Sequence, residues 1–390
     1  MGFKPLSFSS PLRQYQHQAE KLLEDYKAAD PEAIRIFKQR LPRFMDPKIP
    51  WLSTDPSDAE VRAAALDLAD AQMAVARGCD FRDWQALTEY AEAVANHDSA
   101  VYRFESAVEA VIGGDVPALE SLLREDPELV RRRSTRVTHF DPPEHGAMLL
   151  HYVAANGVEG HRQKTPANAV EVAKTLLSAG AEADAFAALY SGQCTTMTLL
   201  VSSCHPAAAG VQVALVDTLV DFGASVEPRG EGRWRSPLMT ALVFGYVDAA
   251  EALVRRGAQV DQLATAAGLG RLDDARRLIP AADPESRHRA LAMAAQNGHV
   301  EVVRLLLDAG EDPSRHNPEG THAHTTPLHQ ASLAGHEAMV QLLVERGARL
   351  DIKDTIYHGT PLGWAIHGGR KEIAEYLRAQ GSKTSAELEP

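Results

Sequence analysis

The sequence predicts an all-α fold made by stacking similar helical units. Three observations carry that prediction. Thr326-Pro327-Leu328-His329-Gln330-Ala331 and Thr360-Pro361-Leu362-Gly363-Trp364-Ala365 are near copies, with their leucines 34 residues apart. Eight apolar anchors (Ala107, Leu150, Met197, Leu238, Leu263, Leu291, Leu328 and Leu362) are each followed seven positions later by glycine, except that Cys204 follows Met197. Amphipathic stretches trail the anchors, such as Leu119, Leu122 and Leu123, or Met339, Leu342 and Leu343. Spacing of i, i+3, i+4 puts such residues on one helical face. A unit of two short helices cannot bury its own apolar face, so the copies must stack.

Each residue of the sharpest copy has a mechanical task. Thr326-Pro327 opens a helix, because proline at the first helical position forfeits no hydrogen bond. Small Ala331 permits close packing. Gly335 ends the helix in a left-handed conformation that glycine adopts cheaply. A second helix runs through Met339 to Leu343 and stops at Gly347. Thr-Pro-Leu-His-x-Ala is the signature of the ankyrin repeat, and the chain resembles that family over about residues 104–381. The resemblance is sharp in the last two copies and degenerate before them. It implies an ankyrin solenoid of about eight helix-turn-helix repeats. Anchors stand 25 to 47 residues apart, so insertions and trimmed repeats are expected.

Residues 1–97 do not carry the repeat and read as a helical leader that caps the array. Tyr15, Ala19, Leu22, Leu23 and Tyr26 share one face. Asp30-Pro31 opens a second helix around Ile34, Phe37 and Leu41. Pro42–Asp55, with three prolines and Trp51, reads as a loop. Ser57 and Glu60 form a capping box for a third helix that Gly78 ends. Trp84, Leu87, Ala91 and Val94 mark a fourth, with Trp84 and Leu87 expected against Ala107 and Leu119. Such a leader is similar to that of a group of bacterial ankyrin-repeat proteins. The array is placed at 98–381, and 382–390 is a small polar tail expected to be flexible.

Three insertions interrupt the array: Arg131–Ala147, Val158–Pro166 and the enlarged finger Ser314–His324. They hold His139, His145, His161, His316, His322 and His324, part of a total of 16 histidines. In repeat proteins, insertions gather on a binding face. Arg131-Arg132-Arg133 with Arg136 reads as a solvated loop face.

Composition excludes several classes. A net charge of −13 and a pI near 5.7 argue against nucleic acid and anionic membrane as partners. Three unpaired-looking cysteines suggest a reducing, cytoplasmic setting. No apolar run is long enough for a membrane span. Met1–Leu6 fits neither a signal peptide nor a myristoylation site. No catalytic signature is complete: a P-loop, a Gly-x-Ser-x-Gly elbow and a His-Glu-x-x-His motif are all lacking. The sequence thus points to no catalytic residue, no metal and no cofactor.

In the family resembled, residues two, five and six positions after each anchor face a concave groove. That rule implies Tyr152, Asn156, Ser202, Ser203, Phe244, Met293, Asn297, Gln330, Trp364 and His367 as groove residues. Finger residues Trp234, His324, Tyr357 and His358 join them, with His324 and His358 in one register and expected to flank a ligand. His151, His329, His299 and His336 occupy positions where the ring usually bonds backbone. The expected function is recognition of a protein partner by groove and fingers, without catalysis. The alternative is an enzyme or small-molecule binder with a pocket walled by the insertions of repeats 2, 3, 7 and 8.

Overall fold

A computed structural model describes residues 6–388. The reading of Met1–Leu6 as neither leader peptide nor lipidation site falls almost wholly outside them. Cα packing divides the chain into two compact units, 1–211 and 212–390.

The first unit begins with α1 (Leu12–Lys27) and α2 (Pro31–Arg40). Asp30 caps α2 by accepting the N–H groups of Glu32 and Ala33. The expected third helix is two helices, α3 (Asp58–Ala63) and α4 (Leu68–Gly78). Ser57 and Glu60 do form a capping box, but Ala65 turns left-handed at φ 47° and Asp67 and Asp70 form a second box. Two start signals ten residues apart define two helices. α5 (Trp84–Ala95) follows. These helices enclose their own core, including Phe37, Ala71, Val75, Phe81 and Leu87. Val101 and Tyr102, from beyond the leader, pack against this core, and further links between leader and array are described below.

The first unit continues with α6 (Ala100–Gly113), α7 (Val116–Glu125), α8 (Leu149–Val153) and α9 (Ala169–Ser178). A finger hairpin follows, β1 (Phe186–Leu189) antiparallel to β2 (Gly192–Thr195), and it is the one sheet among the described residues. Then come α10 (Thr196–Leu200) and α11 (Cys204–Ala208). Cys204 breaks the glycine pattern because it begins the extra helix α11 instead of ending a turn.

The second unit contains α12 (Gln212–Asp221), α13 (Pro237–Val243), α14 (Val247–Arg255), α15 (Leu263–Gly268), α16 (Leu272–Leu278), α17 (Pro284–Gln296) and α18 (Val300–Asp308). It ends with α19 (Pro327–Ala334), α20 (Glu337–Glu345), α21 (Pro361–His367), α22 (Lys371–Ala379) and α23 (Ser385–Leu388). Leu291, Leu328 and Leu362 lie at 0% exposure in one apolar core with Val303, Met339, Leu343 and Leu377. Two residues at the start of the tail expected to be flexible make hydrogen bonds. Ser382 Oγ donates to Leu350 O at 3.2 Å, and Lys383 O accepts from Thr360 Oγ1 at 2.7 Å.

Every anchor lies in a helix, and the seven glycines that follow anchors all have φ between 68° and 91°. Glycine occupies those turns because a Cβ would be strained at such φ values. The histidines of the repeat positions bond backbone as expected. His151 Nε2 meets Ala185 O, and His329 Nε2 meets Gly359 O, both at 3.1 Å. His299 Nε2 meets Gly268 O at 2.9 Å and His336 Nε2 meets Gln296 O at 3.1 Å. Each ring ties one element to its neighbour, so these side chains stiffen the stack.

Candidate functional site

The insertions of the first unit are spent internally. Arg136 is buried, not solvated. Its guanidinium lies 4.2 Å from the Phe81 ring centroid and 4.6 Å from that of Tyr90, and donates to Cys79 O at 3.0 Å. Its Nε is 3.0 Å from Glu159 Oε1. Arg162, also buried, pairs with Glu105 Oε2 and reaches Glu109 Oε1 at 3.3 Å. Tyr90 OH donates to Glu105 Oε2 at 2.9 Å. His145 Nδ1 accepts the Ala147 N–H, so Nε2 carries the proton that faces Glu159 Oε1 at 3.5 Å. Burial alone would raise the Glu159 carboxyl, but Arg136, His145 and Arg162 outweigh it and hold it well below the usual range.

Beside this network, Asp80 accepts the Gly160 N–H at 2.9 Å and faces His161 Nδ1 at 3.3 Å and His139 Nε2 at 3.5 Å. Burial opposes the charge, yet the two imidazoles bring this carboxyl down to about 2. His139 and His161 therefore tie two insertions to the leader's Asp80, and His145 faces Glu159 across the same network. Among the described residues, no three His, Cys, Asp or Glu side chains form a group that could hold a metal ion.

Of the expected groove residues in this unit, Tyr152 and Ser203 are buried. Tyr152 packs edge-on against Phe104, with centroids 6.3 Å apart, and Ser203 Oγ donates to Ala155 O at 3.0 Å. Asn156 and Ser202 do come together. Asn156 Nδ2 donates to Ser202 Oγ at 2.8 Å, and its Oδ1 accepts from Tyr190 OH at 2.6 Å. Tyr190, half exposed at the hairpin turn, was not legible as a site residue because its position depends on the β1–β2 register.

The second unit holds the more open arrangement. Its finger Ser314–His324 folds back onto the first helices of the pairs. His322 Nε2 donates to Val243 O at 3.0 Å, and Arg233 donates to Thr321 O. Met293, Asn297 and Gln330 were expected on the groove surface and are instead buried. Asn297 Nδ2 donates to Leu242 O and Met293 O, and Gln330 Nε2 to Thr325 Oγ1.

Outside that seam the rings form a row. Trp234 and Phe244 have centroids 5.2 Å apart, Phe244 and His322 5.7 Å, and His322 and His324 6.0 Å. His324 then meets Trp364 at 5.8 Å and Tyr357 at 6.1 Å. His324 thus pairs with Tyr357 and Trp364. His358 is exposed and instead uses its backbone carbonyl, which accepts from Ser385 Oγ. Burial, then the neighbouring His324, lowers the His322 imidazole to about 4, and burial lowers His324 as well. Both rings are neutral at pH 7 and behave as apolar surface with one polar edge.

At one end of the row is a cavity of about 480 Å³ lined by Leu333, Tyr357, Gly359, Gly363, Trp364 and His367. Asp354 fixes its wall by accepting Trp364 Nε1–H at 3.0 Å and the N–H groups of Ile356, Tyr357 and Gly359. Gly363 stands where α19 has His329, and a Cβ there would meet little besides Thr360 Oγ1. The missing side chain helps leave the cavity open.

The family model for ankyrin repeats, described as three copies, matches residues 163–317, 262–354 and 291–387. These spans cover more than half of the sequence. The chain belongs to the ankyrin-repeat family. Such repeats are in general protein–protein interaction modules. This ankyrin-repeat protein is 46% identical over 57 residues to mouse ankyrin repeat and SAM domain-containing protein 6, and 42% identical over 57 residues to the rat protein. Each match takes in 15% of this chain and spans 6% of the relative's length. The human ASB11 ankyrin repeat domain aligns over 70% of this chain and 96% of its own, at 19% identity and a TM-score of 0.36.

Proposed function

We propose that this chain is a non-catalytic recognition protein that engages a protein partner through the ring row and cavity of its second unit. The contact residues are Trp234, Phe244, His324, Tyr357, Trp364 and His367. One observation carries the reading: Tyr357, 58% exposed, stands over an apolar cavity of about 480 Å³ at the end of a continuous row of rings. Aromatic anchors beside a pocket are what interface hot spots favour. Five rings spaced by 5–6 Å span at most the length of about seven residues of extended chain, at about 3.3 Å each. The leader acts as an N-terminal cap, supported by its own core and its buried ionic links to α6. Three free cysteines support work in a reducing cytoplasm. Among the described residues, no helix is long and apolar enough to cross a membrane.

The test compares Tyr357→Ala/Trp364→Ala with the control Glu301→Ala/Arg304→Ala, whose side chains are exposed on α18. Proteins co-purified from native lysate should be lost with the first variant and kept with the second, at equal melting temperatures. Equal losses would refute the reading. The cavity volume also lies within the range of small-molecule sites. A small-molecule occupant predicts binding that survives Trp234→Ala, whereas an extended peptide loses affinity.

A further inference from the structure

The tip of the Ser314–His324 finger lies where a groove-bound partner would have to lie. Thr321 and His322 pack over Val243 of α13, Ala292, Met293 and Gln296 of α17, and Gln330 of α19. The space left at this seam is about 10 Å³, near the lower limit for one water molecule. The base of the finger is firmly held. Asn317 N donates to Thr325 O at 2.7 Å, and His288 Nε2 donates to His316 O at 2.9 Å.

The tip is held differently. Arg289 reaches Glu319 O at 3.2 Å, Arg233 binds Thr321 O, and His322 donates to Val243 O. Like the His288 bond at the base, these are side-chain bonds to carbonyls, and here Gly320 at φ 86° supplies a turn between them. Polar matching at the seam is poor. Gln296 Oε1 on the floor and Asn317 Oδ1 on the finger are both buried acceptors without a hydrogen-bond donor. Two acceptors face one seam, and buried polar groups of this kind oppose closure.

We infer that the finger tip is an internal occupant of the groove, held closed by Arg233 and His322 and displaced when an extended segment bearing N–H donors reaches Gln296. The inference concerns regulation of the proposed binding surface and rests on that reading. Its test needs no partner, so the two fail separately. Displacement would detach His322 from Phe244 and leave two contact patches of the proposed surface, Trp234 with Phe244 and His324 with Tyr357 and Trp364. One event would thereby open the floor and change the surface.

The experiment is hydrogen exchange on the full chain, read by mass spectrometry. In the wild type, amides of 317–325 should exchange faster than those of α17 and α19, through an opening smaller than global unfolding. Arg233→Ala/His322→Ala should accelerate them about tenfold further, with α17 and α19 unchanged. The same variant should gain fluorescence with the apolar dye ANS at constant far-UV circular dichroism. Gln296→Leu removes the floor acceptor and should slow exchange of the tip. Acceleration that extends equally into α17 and α19 would make the finger part of the core and overturn the inference. So would a wild-type tip that exchanges only by global unfolding, or a Gln296→Leu variant that exchanges faster.

Discussion

The two units spend their extra chain in opposite ways. In the first, two insertions turn inward. They deliver Arg136, His145, Glu159 and Arg162 to a buried ionic network shared with Tyr90 and Glu105. In the second, the insertion lies over the stack and contributes rings to a partly exposed row. Removing charges from water is expensive, and a buried network is sound only while every member is paired. A ring row depends less on charge pairing: Trp364 donates to the buried Asp354, while Trp234, Phe244 and Tyr357 meet their neighbours as rings. Histidine-rich insertions in one chain thus build a buried ionic network at one place and a partly exposed row of rings at another.

The comparison can be broken most severely by deleting residues 1–97. That deletion removes Tyr90 and the Cys79 carbonyl from Arg136 and Glu105. The truncated chain should aggregate or lack a folded first unit. A soluble product with unchanged melting would mean that the leader is dispensable. Next in size is Arg162→Ala, which takes from the buried Glu105 its closest cation and leaves it with Tyr90 and the more distant Arg136. It should destabilise the first unit by about 3–5 kcal/mol, read from the urea transition of Trp84 fluorescence, with Trp364 reporting little change.

The pH dependence sharpens the contrast. Burial holds His151, His322 and His329 down to about 4, against 6.5 for a free imidazole. Unfolded chains therefore take up protons first. The stability these rings contribute should be flat above pH 6.5 and fall between pH 6.5 and about 4. The second unit holds two of these rings and should lose more than the first. A stability maximum inside that window would contradict the assignment.

Smaller effects follow. Asp115 caps α7 through the Ala118 N–H at 3.0 Å, and Asp115→Ala should cost about 1 kcal/mol. Arg276→Ala breaks the exposed pair with Asp273 and should leave the urea midpoint unchanged.

The periodic part of the fold was legible because repetition amplifies weak signals. Glycine seven residues after an apolar anchor marks a left-handed turn, and seven such turns occur. The break at Ala65 was hidden, since a run of alanines reads as continuous helix and only Asp67-x-x-Asp70 betrays a new start. The ionic network was hidden for another reason. Arg136, Glu159 and Arg162 are single residues in irregular segments, and nothing in their spacing tells a buried charge from a solvated one. The site was half legible. Trp234, Phe244, His324, Tyr357 and Trp364 do come together. Met293, Asn297 and Gln330 do not join them, because the rule that aims them at the groove contains no term for a finger that folds over it.

The ionic network also constrains the order in which the chain can fold. Arg136 bonds a carbonyl 57 residues earlier in sequence, and Asp80 accepts from an amide 80 residues later. Closing loops of that length precedes the reward from the contacts they allow, which slows folding. During synthesis from the N-terminus, Glu105 and Asp80 stay hydrated until residues 159–162 have left the ribosome. The helix pairs of the second unit close over a few tens of residues and can add one after another as they emerge. Contact order thus makes the leader's links to the array, although the leader is made before the array, among the last contacts to form.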